Sequence, residues 1–179
     1  HADHFGGIHG VLSDAELSPG KVRIIGPEGF LDEAVSENLL AGNAMLRRAS
    51  FQFGQHLPKS STGQVDAGLG KSVFSGSIGL IAPTETIARQ LETLRVDDIE
   101  IVFQLTPGTE APAEMNLYFP QFKALNLAEN ATHTLHNLLP LRGAQVRDAN
   151  GWARYINQTL DLFGARSDVL FAQHHWPTW

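Results

Sequence analysis

The chain opens on HADHFGG, which puts His1, Asp3 and His4 within four residues, backed by Gly6 and Gly7. Imidazole and carboxylate donors so closely spaced suit a hard or borderline cation, and the glycines let the backbone turn sharply around it. His9 lies near this group, and two further histidine pairs follow, His133 with His136 in ATHTLHN and His174 with His175 after DVLFAQ. Glu110 in TPGTEAP and Glu129 in LAENATH add carboxylates. Singly, each has an ordinary reading. A run as short as H-x-D-H arises by chance, Glu110 reads as a solvated loop acid, and Glu129 as an acid near a helix N-terminus. His174 has the best individual case, because a histidine where a buried strand ends is well placed to point into a site. Grouped at strand ends in one domain, these residues together point to a metal centre.

The elements that must aim them are legible in outline. Lys21–Ile25 is a strand candidate ended by a GPEG turn. From Leu31 to Arg48 the apolar residues Leu31, Ala34, Val35, Leu39, Met45 and Leu46 recur at helical spacing, with Gly42-Asn43 as an interruption. The stretch 55–71 reads as a long surface loop, and Val73–Ile81 as a strand. Thr93–Val96 and Ile99–Leu105 flank Asp97-Asp98 as a β-hairpin. Short strands are expected at Leu117–Phe119 and Lys123–Leu127, with a helix through THTLHN that carries His133 and His136 on one face. A second helix holds Trp152, Tyr155, Ile156, Leu160 and Phe163 and closes at Gly164, and Asp168–Ala172 is a buried-type strand.

Length and composition bound the remaining options. The 179 residues suffice for one domain with a sizeable core, and 42% hydrophobic with 18% charged residues describes an ordinary globular chain. A net charge of −6 argues against a nucleic-acid partner, which would require a surplus of Lys and Arg. No apolar run approaches the length of a membrane span. With no cysteine, disulfides, thiolate metal sites and a cysteine nucleophile are excluded, so any metal is held by nitrogen and oxygen. The compartment stays open.

HADHFGG resembles the later part of the metallo-β-lactamase motif T-H-x-H-x-D-H-x-G-G. With glutamates in TPGTEAPAEMN and LAENATHTLHN, then LRGA and the terminal HHWPTW, the chain closely resembles the alkyl sulfatase branch of that superfamily along essentially its whole length. The resemblance implies an α/β fold, the αββα sandwich of the metallo-β-lactamases, incomplete for lack of its N-terminal strands. Residues 1–179 would be part of a single catalytic domain, a piece of a longer protein that also carries C-terminal domains and forms a homodimer. The implied activity is hydrolysis of alkyl sulfate esters such as dodecyl sulfate at a two-zinc centre. Carried over, His1 and Glu110 would bind one zinc together with an upstream histidine. Asp3, His4 and His174 would bind the other, with Glu129 as a carboxylate ligand completing the pair. Asn137 and Arg142 would contact the sulfate.

The chemistry fits these roles. Two zinc ions ~3.5–4 Å apart can acidify a bridging water and clamp an anion. Carboxylate ligands such as Asp3 offset metal charge and orient that water. Arg142 offers a planar two-donor fork to tetrahedral sulfate oxygens, while Asn137 adds a neutral donor. Two other readings remain open at this point: a hydrolase of another ester, such as a phosphodiester or thioester, and an inert metal-binding fragment.

Overall fold

A computed structural model describes residues 1–18, 20–71 and 76–179. In chain order the elements are helix α1 (Ala2–Phe5), strand β1 (Ile25–Pro27), helix α2 (Phe30–Val35), helix α3 (Gly42–Gln52), strands β2 (Glu85–Ile87), β3 (Leu91–Val96), β4 (Ile99–Leu105), β5 (Met115–Phe119) and β6 (Ala124–Asn126), helix α4 (Ala149–Phe163), and strand β7 (Val169–Phe171). The strands form a five-stranded sheet in the order β3-β4-β5-β6-β7 and a parallel pair β1-β2. One face of the large sheet packs on the small one: Phe103 and Leu105 of β4 bury against Ile87 of β2, with Ile25, Met115 and Leu117 around them. The other face carries α4, whose Phe163 stacks on Tyr118 at 5.0 Å over Leu125 and Leu127. This layering of helix on sheet on sheet agrees with the sandwich that the resemblance implies.

The hairpin forms where the sequence places it, with Val96 opposite Ile99 and Asp97 taking the left-handed conformation at φ 52°. Aspartate tolerates that region better than most residues, so the turn closes without glycine. Helix α4 begins at Asp148, whose side chain accepts from the Asn150 and Gly151 amides at 3.0 Å. Gly164 is right-handed and runs on into a 3₁₀ turn, so α4 does not end in the expected left-handed glycine cap.

Three expectations are corrected. The first strand is displaced: β1 begins at Ile25 and includes Gly26 and Pro27, which read as a turn. Of the strand expected at Val73–Ile81, residues 73–75 lie outside the described residues, as does Phe74, and 76–81 are irregular. The segment from Thr132 to Asn137 is also irregular, so His133 and His136 do not share a helix face. The backbone there follows local side-chain bonds such as Thr132 Oγ1 to the Thr134 carbonyl at 3.1 Å, which compete with helical pairing.

The helix expected over Leu31–Arg48 is broken, and by more than Gly42. A π-turn spans Ser36–Leu40, closed by the Ala41 amide on the Ser36 carbonyl at 3.3 Å. The widened turn rotates the following residues. Leu39, on the expected apolar face, is 71% exposed, while the Glu37 side chain is only 17% exposed and faces the site. Wide turns of this kind recur at functional positions.

Candidate metal centre

Four chain segments deliver the donors, under three local constraints. The single turn α1 is closed by Gly6 N on the Ala2 carbonyl at 2.7 Å, and a Cβ on Gly6 would lie 2.4 Å from that carbonyl oxygen. Only glycine permits this approach. The turn sends His1 and His4 to different partners. Strand β4 runs into the loop 106–114, pinned by Thr106 N on the Glu114 carbonyl at 2.9 Å and by Thr109 Oγ1 on the Thr106 carbonyl at 2.6 Å. This loop buries Glu110.

The third constraint joins two loops. Strands β6 and β7 are parallel neighbours, so their exits lie side by side. Leu127 N donates to the Phe171 carbonyl at 2.9 Å and Gln173 N to the Ala128 carbonyl at 2.8 Å, which sets Glu129 beside His174. Asn126 Oδ1 accepts from Ala128 N at 2.8 Å, and Ala128 takes φ 49° immediately before Glu129. A non-glycine residue in that region costs about 1 kcal/mol or more, a strain typical of functional sites.

At the centre, His4 Nε2 and His174 Nε2 lie 2.7 and 2.6 Å from the same oxygen, Glu129 Oε1. Asp3 Oδ2 is 3.6 and 3.3 Å from those two nitrogens. Asp3, His4, Glu129 and His174 thus offer one donor atom each, all within 4.8 Å of one another. Beside them His136 Nε2 lies 3.1 Å from Glu129 Oε2 and 3.4 Å from Glu110 Oε1, a second convergent group. His1 Nδ1 is 3.0 Å from Glu110 Oε2, and its Nε2 is 3.4 Å from Glu37 Oε2.

The donor set fits a cation. His174 Nδ1 is 3.1 Å from the Leu69 carbonyl, an acceptor, so Nδ1 carries the proton and Nε2 presents a lone pair. That buried lone pair faces a carboxylate oxygen and has no hydrogen-bond partner among the described residues. Two electron-rich atoms pressed together are satisfied by a positive ion. Imidazole and carboxylate without thiolate match zinc or a similar borderline metal.

The electrostatics follow from the same contacts. Burial works to raise the Glu129 pKa, yet the hydrogen bonds from His136 and His4 and the charge of His4 hold it well below the usual carboxylate range. Burial tends to lower His1, His4 and His136, but the carboxylates beside them outweigh it and all three are raised. Glu114 is pushed up to about 8, first by burial and then by the charges of Glu110 and Glu129.

The remaining expected site residues lie around this core. Asn137 is reached through Arg147, which bonds both it and Glu110. Arg142 does not touch the four-donor group; its Nη2 donates to Glu37 Oε1 at 3.0 Å, one residue from His1. His133 is elsewhere, with Nε2 at 2.9 Å from the Trp176 carbonyl and its ring against His175. Arg147, Glu37 and Glu114 were not singled out in the sequence. Arg147 lies in a polar turn and carries no motif, and Glu37 faces inward only through the π-turn.

Behind the ligand loops lies a buried polar floor. Asn130 Nδ2 donates to Thr106 Oγ1 at 3.0 Å and to Asn116 Oδ1 at 2.9 Å. Its carbonyl accepts from Trp152 Nε1 at 2.9 Å, which ties α4 to the residue after Glu129. On the other side, a cavity of about 280 Å³ lined by Phe5, Ile25, Phe30, Met115 and Leu117 abuts His1, His4 and Glu129.

The profile of the metallo-β-lactamase superfamily matches residues 1–174. The chain is 51% identical over 178 residues to an alkyl/aryl-sulfatase of Saccharomyces cerevisiae, covering 99% of this chain and 28% of the yeast protein. It is 49% identical over 180 residues to an (R)-specific secondary-alkylsulfatase of a Pseudomonas species, covering 27% of that protein. The solved structure of the stereoselective inverting sec-alkylsulfatase Pisa1 from a Pseudomonas species superposes with a TM-score of 0.95 at 49% identity, over all of this chain and 28% of that one. The chain therefore spans little more than a quarter of the length of these relatives.

Proposed function

The chain belongs to the metallo-β-lactamase superfamily, and from that premise we propose that it forms part of the catalytic domain of a zinc-dependent alkylsulfatase, which hydrolyses alkyl sulfate esters to an alcohol and inorganic sulfate. The observation that carries this reading is the convergence of Asp3, His4, Glu129 and His174 on one point, in a chain about half identical to alkylsulfatases over its whole length.

Asp3, His4 and His174 would hold one ion and His1 with Glu110 a second, with Glu129 as a further carboxylate ligand. Bound zinc supplies an acidified water and positive charge to offset an anionic ester. The chain's own residues do the rest. Asp3 and the glutamates orient the attacking water. Arg142 and Asn137 donate to sulfate oxygens and hold the ester in place against the repulsion of nearby carboxylates. The apolar cavity beside His1 and His4 favours an ester with an apolar alcohol.

The test is sulfate release from dodecyl sulfate, followed by ion chromatography with the zinc-loaded full-length protein. Release that a chelator stops, and that substitution of Glu129 or His174 abolishes, is the expected result. A folded protein that holds zinc and releases no sulfate would overturn the substrate assignment.

A further inference from the structure

Arg147 makes more contacts within the site than any motif would suggest. It is 7% exposed and lies in the turn before α4. Its Nε donates to the Glu110 carbonyl at 2.6 Å, and its Nη2 bonds Glu110 Oε1. Its Nη1 donates to the Asn137 carbonyl at 3.0 Å and to Asn137 Oδ1 at 2.7 Å. One buried guanidinium thus grips a candidate zinc ligand and a candidate sulfate contact together.

The chemistry fixes a detail. A guanidinium only donates, so the amide atom of Asn137 facing it is the oxygen. The amide cannot turn over without setting its own N–H groups against those of Arg147. Its Nδ2 is therefore held on the side away from Arg147, free to donate. On the Glu110 side, the bond to Oε1 leaves Oε2 to face His1 at 3.0 Å. The planar three-nitrogen fork serves four acceptors from two residues, and no single ammonium could reach them all.

We infer that Arg147 is a positioning residue for sulfate: it locks the Asn137 amide with Nδ2 presented to a sulfate oxygen, while anchoring Glu110 against His1. This rests on the alkylsulfatase reading above. Arg147 itself touches neither the ester nor the attacking water.

The experiment compares inorganic sulfate binding by calorimetry, zinc content and the KM for dodecyl sulfate in the zinc-loaded full-length protein. Because R147A strips a buried carboxylate of its partner and can unfold the loop, Arg147→Lys is the working variant. It is expected to retain zinc, to weaken sulfate binding about tenfold, as loss of one oriented donor does, and to raise KM by a similar factor. Asn137→Ala is expected to cost the same, and the double variant R147K/N137A no more than either alone. Asn137→Asp gives an independent arm. It offers Arg147 a charged partner but presents no donor, so thermal stability should hold or rise while sulfate affinity is lost.

Sulfate affinity and KM unchanged in R147K would overturn the inference and leave the sulfatase reading standing. So would losses from R147K and N137A that multiply in the double variant, or destabilisation by N137D. Unmodified protein that neither binds sulfate nor releases it would overturn the sulfatase reading first, and the role of Arg147 with it.

Discussion

His4 and His174, from opposite ends of the chain, bring their Nε2 atoms to the same oxygen of Glu129, at 2.7 and 2.6 Å. The meeting depends on the parallel pairing of β6 and β7, which fixes Glu129 and His174 at adjacent strand exits. The single turn α1 then delivers His4 to the same point.

Glu129→Gln should disable the metal centre while sparing the fold. The amide is nearly isosteric but uncharged, and it would present an N–H group to imidazoles that also need an acceptor. Zinc affinity should fall by at least tenfold, the lower end of what is lost even when only a ligand's supporting contact is removed. Zinc content after gel filtration, measured by mass spectrometry, decides the matter. Wild-type stoichiometry in the variant would remove Glu129 from the ligand set.

The metal-free protein should be most stable in mildly acidic solution. His1, His4 and His136 have pKa values raised above the ordinary 6.5, because the adjacent carboxylates outweigh burial. A raised value stabilises fully below pH 6.5, and the contribution is lost as pH climbs through the folded value. Glu129 is depressed below the ordinary 4.5, so its contribution is present above that pH and fades as pH falls. Thermal midpoints in chelator should therefore decline from pH 6 to pH 9. With zinc the alkaline decline should vanish, because the metal takes neutral imidazoles and releases their protons. A chelated protein that gains stability from pH 6 to 9 would refute the assigned histidine contacts.

Asn130 should matter to the fold more than to the chemistry. It is 4% exposed, and its side chain satisfies Thr106 and Asn116, which in turn bonds Thr159 on α4. Asn130→Ala would leave buried partners unpaired, at about 1–3 kcal/mol for each. Chemical denaturation should show a loss of that order with the m-value unchanged. A variant as stable as the parent would mean that the network is not a structural floor. The same burial puts the Asn130-Ala-Thr132 sequon out of reach of glycosylation.

Much of this was legible in the sequence because its signals are local. The hairpin is written in alternating apolar residues around Asp97-Asp98, and α4 in the spacing of Trp152, Tyr155, Ile156 and Phe163. Glu110, Glu129 and His174 follow strands while His1, Asp3 and His4 crowd one glycine-backed turn, which is enough to raise a metal site before any topology is known. What failed was governed by longer-range packing. The π-turn at Ser36–Leu40 turns Glu37 inward and Leu39 outward, against the helical pattern. The Thr132–Asn137 segment has helical spacing but serves side-chain contacts, with His136 drawn to Glu129 and Glu110. Arg147 looked like any turn arginine, because its four acceptors come from residues distant in sequence.

Arg142 poses the sharpest question about substrate binding. Its Nη2 donates to Glu37 Oε1 at 3.0 Å, and Glu37 Oε2 lies 3.4 Å from His1. Glu37 therefore tethers the guanidinium beside the His1–Glu110 pair and leaves its other nitrogens for a ligand. A charge-assisted bond to a sulfate oxygen contributes about 1.5–3 kcal/mol, so Arg142→Ala should raise the KM for an alkyl sulfate by roughly 10–150-fold. The lysine variant should recover only part of this, because one ammonium cannot pair with Glu37 and fork a sulfate together. The zinc held by the four converging donors should not change in either variant, since Arg142 contacts none of them. The decisive comparison is KM against kcat. If Arg142→Ala lowers kcat and leaves KM alone, Arg142 does not hold the ground-state ester. An unchanged KM and kcat would reduce it to a structural ion pair with Glu37.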